Sequence, residues 1–168
     1  SPASGKTYLS DDFGNVDQIK LAINQVENIK NNIINSLTGT DYDKIMKIHD
    51  YLVDNIDYDS TYQATGTYSI YGALIGKKCV CEGYAKSLKY LANQAGIKCE
   101  IMQGTGTNSS GQTESHAWNC VKIDGIWYEI DATWDDPIII GNGYKANVYK
   151  YRYFLKGTVS FEKDHILS

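Results

Sequence analysis

Residues 116–134 read HAWNCVKIDGIWYEIDATW, and this stretch decides the fold. Asp124-Gly125 separates two runs rich in β-branched and aromatic residues, which is the strongest short signal for a β-hairpin with a two-residue turn. Such a turn pairs Ile123 with Ile126 and thereby fixes the register of both strands. The sequence therefore predicts an antiparallel hairpin that spans most of this stretch.

The predicted register places His116 and Asp131 on the same face of the hairpin. Asp131 is opposite Trp118, and His116 is opposite Thr133, so the imidazole and the carboxylate are diagonal neighbours. Diagonal neighbours lie ~7–8 Å apart at Cα, which is close enough for an imidazole to reach a carboxylate. We therefore predict a base, His116, held by its orienting acid, Asp131. The alternative is a hydrogen-bonded sheet histidine without a catalytic role.

Cys81 is the predicted nucleophile because it stands at the start of a third predicted helix. That helix runs from about Cys81 to Ala95, and Gly96 occupies the position of a left-handed C-terminal cap. The free N–H groups and the positive dipole end of a helix N-terminus favour a thiolate. Cys79 lies ahead of the helix and would not share this field. The alternative for Cys81 is a buried structural cysteine.

Two amphipathic helices precede this one. The first begins at Asn15 and is expected to end at Gly39. Thr40 and Asp43 have the spacing of a capping box that opens the second helix. His49 lies on the apolar face of the second helix, and we predict a packed, hydrogen-bonded histidine there.

The rest of the chain predicts a mixture of strand and irregular structure. We expect a half-buried strand over Ile97–Met102, a further strand over Tyr149–Leu155 and a solvated turn at Asp135-Asp136. Irregular or flexible connections are predicted over two ranges, 57–72 and 104–114.

Helices that precede an antiparallel sheet define an α+β class with the nucleophile at a helix N-terminus. The length of 168 residues suits one domain, which we place over 15–168 behind a flexible segment, 1–14. The chain begins with Ser rather than Met, so we expect it to be part of a longer protein.

Charge and hydropathy exclude two classes of partner. The net charge is −4 and no run of Lys or Arg offers a basic surface, so we expect no nucleic acid partner. No stretch approaches the ~18 apolar residues that a membrane span needs. The four cysteines lack the paired C-x₂₋₄-C spacing of structural zinc sites, and we predict neither a metal nor a cofactor. Cys99 and Cys120 read as small apolar residues of strands.

Three ordered blocks of the sequence resemble one family. Residues 72–85 read GALIGKKCVCEGYA and resemble the nucleophile segment of bacterial transglutaminase-like domains. HAWN at 116–119 and DGIWYEIDATWDDP at 124–137 look like the other two catalytic blocks of that family. The resemblance extends over about 40–166, including Asp164-His165 near the C-terminus.

The resemblance implies a papain-like cysteine fold with Cys81 as nucleophile, His116 as base and Asp131 as orienter. It implies thioester formation on the carboxamide or peptide carbonyl of a protein or peptide substrate. Attack by an amine then gives transamidation, and attack by water gives deamidation or proteolysis. By family habit we expect an extracellular or cell-surface bacterial protein.

One departure from the family bears on the oxyanion. Animal transglutaminases use a tryptophan upstream of the nucleophile, and this chain has no Trp before Trp118. The backbone N–H of Cys81 supplies one donor, and the nearest candidates in sequence for the second are Gln63, Tyr68 and Tyr71. Trp118 is predicted to line the substrate cleft. A cysteine peptidase or amidase and a non-catalytic binding module of a surface protein are the alternatives to acyl transfer.

Overall fold

The computed structural model describes residues 12–136 and 150–168, together with the backbone of 139–140 and 144–145. In chain order its elements are α1 Val16–Asn35, α2 Asp41–Asn55, β1 Asp57–Tyr58, α3 Ile70–Leu74, β2 Lys78–Cys79, α4 Cys81–Gln94, β3 Cys99–Thr107, β4 Thr113–Ile123, β5 Ile126–Ile130, α5 Ala132–Asp135, β6 Ile139–Ile140, β7 Tyr144–Lys145, α6 Thr158–Phe161 and β8 His165–Leu167. Residues 1–11 of the segment expected to be flexible lie outside the described residues.

Local capping sets the ends of the first two helices. The side chain of Asn15 accepts a hydrogen bond from the backbone N–H of Gln18 and begins α1. α1 ends at Asn35, short of the predicted end at Gly39, because the N–H of Ser36 turns back to carbonyls of the last turn. The predicted capping box of α2 is confirmed, since Thr40 and Asp43 exchange side-chain and backbone hydrogen bonds.

The helix that begins at Cys81 lies at the centre of the core. α4 contacts β3 and β4 on one side and α2 on the other. Its position depends on Gly83, because a Cβ there would lie only 2.7 Å from the Sγ of Cys79. Gly96 has a φ of +81°, which confirms the left-handed C-terminal cap. The buried side chains of this core are Val26, Ile45, Ile48, Leu52, Leu74, Leu88, Leu91, Ile97, Val121 and Ile130.

Four strands form an antiparallel sheet in the order β5-β4-β3-β8. The predicted hairpin register is confirmed, with Ile123 paired to Ile126. Asp124 and Gly125 both have positive φ, 50° and 82°, as a type I′ turn requires. The α+β class predicted from the sequence is therefore correct.

The hairpin is shorter than predicted at its far end. β5 stops at Ile130, and Asp131 becomes the N-cap of α5 by accepting a hydrogen bond from the N–H of Trp134. Thr133 is therefore helical, and the β4–β5 ladder ends at the pair of Asn119 and Ile130, so His116 has no partner in β5. The cause is a competing local structure, since an aspartate that caps a helix cannot also continue a ladder.

Two other sequence expectations are wrong. The connection expected over 104–114 is largely strand, because β3 continues to Thr107 and β4 begins at Thr113. The expected strand over Tyr149–Leu155 is a series of turns from residue 150 onward, while Tyr149 lies outside the described residues. The sheet instead takes its fourth strand from β8, which pairs with β3. The region expected to be irregular, 57–72, has neither helix nor strand over 59–69, and only its two ends belong to β1 and α3.

A second cluster of large side chains covers the sheet near β8. We call it the aromatic layer, and it consists of Trp118, Trp134, Tyr153, Phe161 and His165. The side chain of Asn119 points to the face of the sheet that α4 covers, where it donates a hydrogen bond to the carbonyl of Ala85. Adjacent residues of a strand face opposite sides of a sheet, so Trp118 points to the other face.

Within the described residues, no helix is both long enough and apolar enough to cross a membrane.

Gly104 tests the close approach of β8 to β3. A Cβ at this position would overlap the carbonyl oxygen of Ile166, whereas a Cβ at Gly14 would meet only Gln18 Oε1 at 3.5 Å. We expect Gly104→Ala to lower the free energy of unfolding by about 2 kcal/mol, because backbone cannot yield as a flexible side chain does. Gly14→Ala is the matched control and should change it by less than about 0.5 kcal/mol. Urea unfolding measures both, and equal stability of the two variants would contradict the strand pairing.

Candidate active site

A cleft of about 460 Å³ opens where the N-terminus of α4 meets the end of β4 that carries His116. Its walls come from the segment after α2, the start of α4 and strands β3 and β4. The residues that line it are Tyr58, Tyr62, Tyr68, Val80, Cys81, Glu82, Gln103, Gly104, Glu114, Ser115, His116, Ala117 and Ser168.

His116 and Asp131 are directly hydrogen-bonded, as the hairpin argument expects. The Nε2 of His116 lies 2.5 Å from Oδ2 of Asp131, and both residues are buried. Asp131 is held in place by its neighbours, because its Oδ1 accepts from the N–H of Trp134 and its own N–H donates to the carbonyl of Tyr153. The carboxylate therefore sits at a strand end that a helix cap and a neighbouring segment fix together.

The two groups stabilise each other's charged form. Burial alone would lower the pKa of His116, but the charge and hydrogen bond of Asp131, with a further contribution from Cys81, raise it to about 10. Burial alone would raise the pKa of Asp131, but the charges and hydrogen bonds of His116 and His165 lower it to about 2. At neutral pH the pair is therefore an imidazolium and a carboxylate.

Cys81 is the first residue of α4 and is partly exposed in the cleft. Its N-cap residue, Val80, makes no side-chain capping bond to the first turn of the helix. Cys81 lines the same cleft as His116 and contributes to the raised pKa of that imidazole. Since Asp131 occupies Nε2, Nδ1 is the ring nitrogen left to address a thiol.

The other cysteines differ from Cys81 in their environment. All four are free thiols. Burial raises the pKa of Cys79 far above its ordinary value and that of Cys99 to about 12, and burial also raises the pKa of the half-buried Cys120. These thiols stay protonated at neutral pH, which makes them poor nucleophiles.

His165 contacts the same carboxylate, which the sequence did not indicate. Its Nε2 lies 2.8 Å from Oδ2 of Asp131, and its Nδ1 lies 2.7 Å from Oδ1 of Asp164. The resemblance of Asp164-His165 to the family pattern was the one available signal, and it did not connect His165 with Asp131. The two histidines are 49 positions apart in sequence, and the pairing of β8 with β3 brings them together.

His116, Asp131 and His165 are also the one group of donors, among the described residues, with the proximity of a metal site. One ligand atom from each lies within 4.8 Å of the others. Both imidazole nitrogens, however, lie at hydrogen-bond distance from the carboxylate, 2.5 and 2.8 Å. Each Nε2 must therefore carry a proton, and a protonated nitrogen has no lone pair for a metal. The arrangement fits a hydrogen-bond network better than a metal centre.

A second histidine–aspartate pair supports the other end of α5. The Nε2 of His49 lies 2.9 Å from Oδ2 of Asp135, and Oδ1 of Asp135 accepts from the N–H of Tyr153. The prediction of a packed, hydrogen-bonded His49 is confirmed. The solvated turn expected at Asp135-Asp136 is wrong, because Asp135 is 1% exposed. Burial raises the pKa of Asp135 to about 6.

The segment between β1 and α3 is organised around one buried carboxylate. Asp59 accepts hydrogen bonds from the N–H and hydroxyl of Thr61, the N–H of Ala64 and the hydroxyl of Thr67, at 2.7–3.2 Å. These donors outweigh burial and hold the pKa of Asp59 well below its usual range. The segment therefore has a defined conformation although its sequence reads as an irregular loop.

This segment brings tyrosines to the cleft. Tyr68, a predicted site residue, lines it, together with Tyr58 and Tyr62, which the sequence did not single out. Tyr58 pairs with Cys79 in the β1–β2 ladder, and its hydroxyl pKa is raised by burial, by a hydrogen bond with Tyr62 and by the charge of Cys81. Gln63 is exposed and is not among the residues that line the cleft.

Two other predicted cleft residues lie elsewhere. Tyr71 faces a larger apolar groove of about 630 Å³ between α1 and α4, where its ring lies 4.9 Å from that of Phe13. Trp118 is 2% exposed in the aromatic layer and donates from Nε1 to Oε1 of Glu129. Sequence proximity misled the prediction for Tyr71. Trp118 shares the face of β4 that carries His116 but lies two residues further along the strand, where its ring packs 6.2 Å from that of Phe161 in α6. The groove contains none of the three proposed catalytic residues.

The fold and the cleft together define a papain-like α+β protein with a cysteine at a helix N-terminus beside a histidine–aspartate pair. The profile of the Transglutaminase-like superfamily matches residues 27–132. The chain belongs to this superfamily.

Individual proteins are also similar to this chain in sequence or in fold. Kyphoscoliosis peptidase of Homo sapiens is 28% identical over 138 residues, which are 75% of this chain and 21% of the relative, and that of Mus musculus is 27% identical. The chain thus spans about a fifth of the length of these relatives. A TGase of known structure superposes with a TM-score of 0.55 at 18% identity, covering 87% of this chain and 39% of that one. The periplasmic domain of TgpA from Pseudomonas aeruginosa gives 0.51 at 17% identity, covering 65% and 43%.

The histidine–aspartate pair predicts a pH window of stability. Because the pKa of His116 is raised on folding, its contribution to the free energy of unfolding is complete below about pH 6.5 and is lost as pH rises through about 10. Because the pKa of Asp131 is lowered on folding, its contribution is complete above about pH 3.8 and is lost as pH falls through about 2. Both contributions are therefore fully present between these limits, at mildly acidic pH.

We expect His116→Gln to lower the free energy of unfolding by about 2–3 kcal/mol at pH 5–6, because Asp131 loses its charged partner. The difference from the wild type should shrink as pH approaches 10. Urea unfolding at several pH values measures it, with Lys122→Gln on the same strand as the control. A difference that does not vary with pH would show that the buried pair is not ionic.

Proposed function

We propose that this chain is a thiol-dependent acyl-transfer enzyme that acts on carboxamides of proteins or peptides through Cys81, His116 and Asp131. The observation that carries the proposal is the imidazole of His116, held by Asp131 in the cleft that also contains Cys81. The superfamily and the selective environment of Cys81 among the four thiols support it.

The proposed reaction begins from a thiolate–imidazolium pair. Sγ of Cys81 attacks the carbon of a glutamine carboxamide, and the C=O electrons move to oxygen to give a tetrahedral oxyanion. The imidazolium of His116 gives its proton to the leaving nitrogen, the C–N bond breaks, and ammonia departs as a thioester forms. Asp131 holds the ring and its charge through both steps. A primary amine or water, deprotonated by His116, then attacks the thioester and releases the thiol.

The oxyanion needs two donors in this scheme. The backbone N–H of Cys81 at the start of α4 is the first. For the second we propose the hydroxyl of Tyr58, because Tyr58 lines the cleft and its pKa responds to the charge of Cys81. It would replace the tryptophan that the sequence lacks upstream of the nucleophile.

A cysteine peptidase or amidase with the same triad is the second candidate. The kyphoscoliosis peptidases support it by name, with 28% and 27% identity over three quarters of this chain. Both candidates share every step up to the acyl-enzyme and differ in whether an amine or water ends it. A non-catalytic binding module would leave Cys81 no more reactive towards iodoacetamide than the half-buried Cys120.

The location is part of the proposal. We place the protein outside the cytoplasm of a bacterium, at the cell surface or beyond, on the strength of the sequence resemblance to bacterial domains. Fractionation of cells that express the full-length protein tests this placement.

Amine incorporation tests the nucleophile. We expect the wild type to incorporate a fluorescent alkylamine into casein and Cys81→Ala to abolish the incorporation. Cys120→Ala is the matched control and should retain it within about twofold, because Cys120 lies on β4 outside the cleft. Equal incorporation by the wild type and Cys81→Ala would refute the transamidation proposal. Cleaved casein, or ammonia without incorporated amine, that disappears in Cys81→Ala would assign the hydrolytic candidate instead.

Tyrosine substitutions test the second oxyanion donor. We expect Tyr58→Phe to lower kcat by about 100-fold with little change in KM, because the hydroxyl would bind only the developing oxyanion. Tyr68→Phe lines the same cleft and should lower kcat by less than about tenfold. Steady-state kinetics separate the two. A Tyr58→Phe variant with wild-type kcat would exclude this hydroxyl as the donor.

A further inference from the structure

The Asp131 carboxylate is shared by two histidines. Its Oδ2 lies 2.5 Å from Nε2 of His116 and 2.8 Å from Nε2 of His165. Its Oδ1 is bound separately by the N–H of Trp134 at 3.1 Å. Without His165, Oδ2 would be held only by its hydrogen bond to His116. His116 is the group proposed to transfer protons, so the plane of the carboxylate would then depend on the group it has to orient.

His165 is itself held from several directions. Its Nδ1 bonds to Oδ1 of Asp164, whose Oδ2 accepts from the hydroxyl of Tyr153 at 2.7 Å. Its ring centroid lies 4.1 Å from that of Phe161 and 4.4 Å from that of Trp134. The residue is 1% exposed. A side chain so restricted loses almost no entropy in keeping one orientation.

The backbone fixes His165 as firmly as its side-chain contacts do. His165 pairs with Gly106 of β3 in the sheet. A Cβ on Gly106 would lie 2.7 Å from the Trp134 ring and 3.3 Å from Cδ2 of His116. The same strand pair therefore sets the position of His165 and leaves the space in which the His116 ring lies.

We infer that His165 is a positioning residue, whose Nε2–H holds the Asp131 carboxylate in the orientation that receives His116. The inference rests on the proposed roles of Cys81, His116 and Asp131. His165 is not among the residues that line the cleft, and although its ring lies 5.5 Å from that of His116, its hydrogen bond to the proposed catalytic residues goes to Asp131.

The arrangement also limits how strongly Asp131 attracts the proton of His116. A carboxylate oxygen that accepts two hydrogen bonds is a weaker base towards each donor than one that accepts a single bond. The charged and titratable groups around the two rings are Asp131 and His165 itself beside His116, Cys81 at the start of α4, Asp164 and Tyr153 beside His165, and Asp135 at the end of α5. Loss of the His165 donor should therefore make His116 hold its proton to higher pH.

Three substitutions of one residue separate the donor from the ring. His165→Gln places an amide N–H near the position of Nε2, where Asp131 accepts. His165→Asn places it near Nδ1, on the Asp164 side, and His165→Phe keeps the ring contacts without any donor. If His165 acts by positioning Asp131, His165→Gln should retain most of kcat and His165→Asn and His165→Phe should not. If His165 acts only by packing, His165→Phe should retain the most.

The first measurement is steady-state kinetics on whichever acyl-transfer or hydrolytic product the wild type forms. We expect His165→Phe and His165→Asn to lower kcat by about tenfold or more with KM within twofold, and His165→Gln to recover most of it. In a plot of kcat against pH, the alkaline limb of His165→Phe should shift to higher pH by about one unit relative to the wild type. Equal kcat in all three variants, or recovery by Phe alone, would overturn the inference.

The second measurement needs no activity. Ring nitrogen NMR follows the titration of His116 in the Cys81→Ser background, with and without His165→Phe. A shift of about one pH unit to higher pH supports the inference, and an unchanged titration overturns it. If the wild type forms no product at all, the proposed function fails while this titration still decides the role of His165. If His165→Phe does not fold, the same titration on Gln and Asn decides it.

Discussion

The Asp131 carboxylate, buried and shared by two imidazoles, is the interaction on which the rest of this structure depends. An ionised carboxylate removed from water is stable only when its lone pairs are taken up by donors and opposite charge. His116, His165 and the N–H of Trp134 supply these donors, and they come from β4, β8 and α5. The position of one side chain therefore requires the sheet, the C-terminal strand and a helix start to be in place together.

The same requirement explains the short helix after the hairpin. α5 has a capping aspartate at its start and Asp135 at its end, and each aspartate is bound to a buried histidine. His49 reaches α5 from α2, so the N-terminal helices and the sheet are tied to one four-residue element. Tyr153 joins both ends, because its carbonyl accepts from Asp131 and its N–H donates to Asp135. Hydrogen bonds to neighbouring elements thus restrain both ends of α5, the segment that begins at the Asp131 carboxylate.

The approach of Cys81 to this pair has a separate origin. α4 begins directly after β2, which pairs with β1, and Gly83 lets the first turn of α4 lie against Cys79. The loop that follows β1 is ordered around Asp59 and contributes the tyrosines of the cleft. Nucleophile and base thus belong to different substructures, and the cleft is the boundary between them. Catalysis in the proposed scheme would depend on how constant these two substructures keep the distance between Cys81 and His116.

Some of this could be predicted from the sequence. Turn chemistry at Asp124-Gly125 fixed the hairpin register, and hydrophobic period and capping residues located α2 and α4, because these signals act between residues close in the chain. The closeness of His116 and Asp131 followed from that register. The buried pair of His49 and Asp135 did not follow, since the two residues are 86 positions apart in the chain. The helical cap at Asp131 and the order of the loop around Asp59 did not follow either, although their hydrogen bonds are local, because a sequence does not show which of several polar side chains an aspartate binds. Local pattern thus determined the three long helices, the β4–β5 hairpin and the meeting of a histidine with an aspartate. Only the tertiary structure decided that His165 shares that aspartate and that Tyr58 rather than Tyr71 or Trp118 lines the cleft that contains Cys81, because strand pairing and burial, not spacing, bring those groups together.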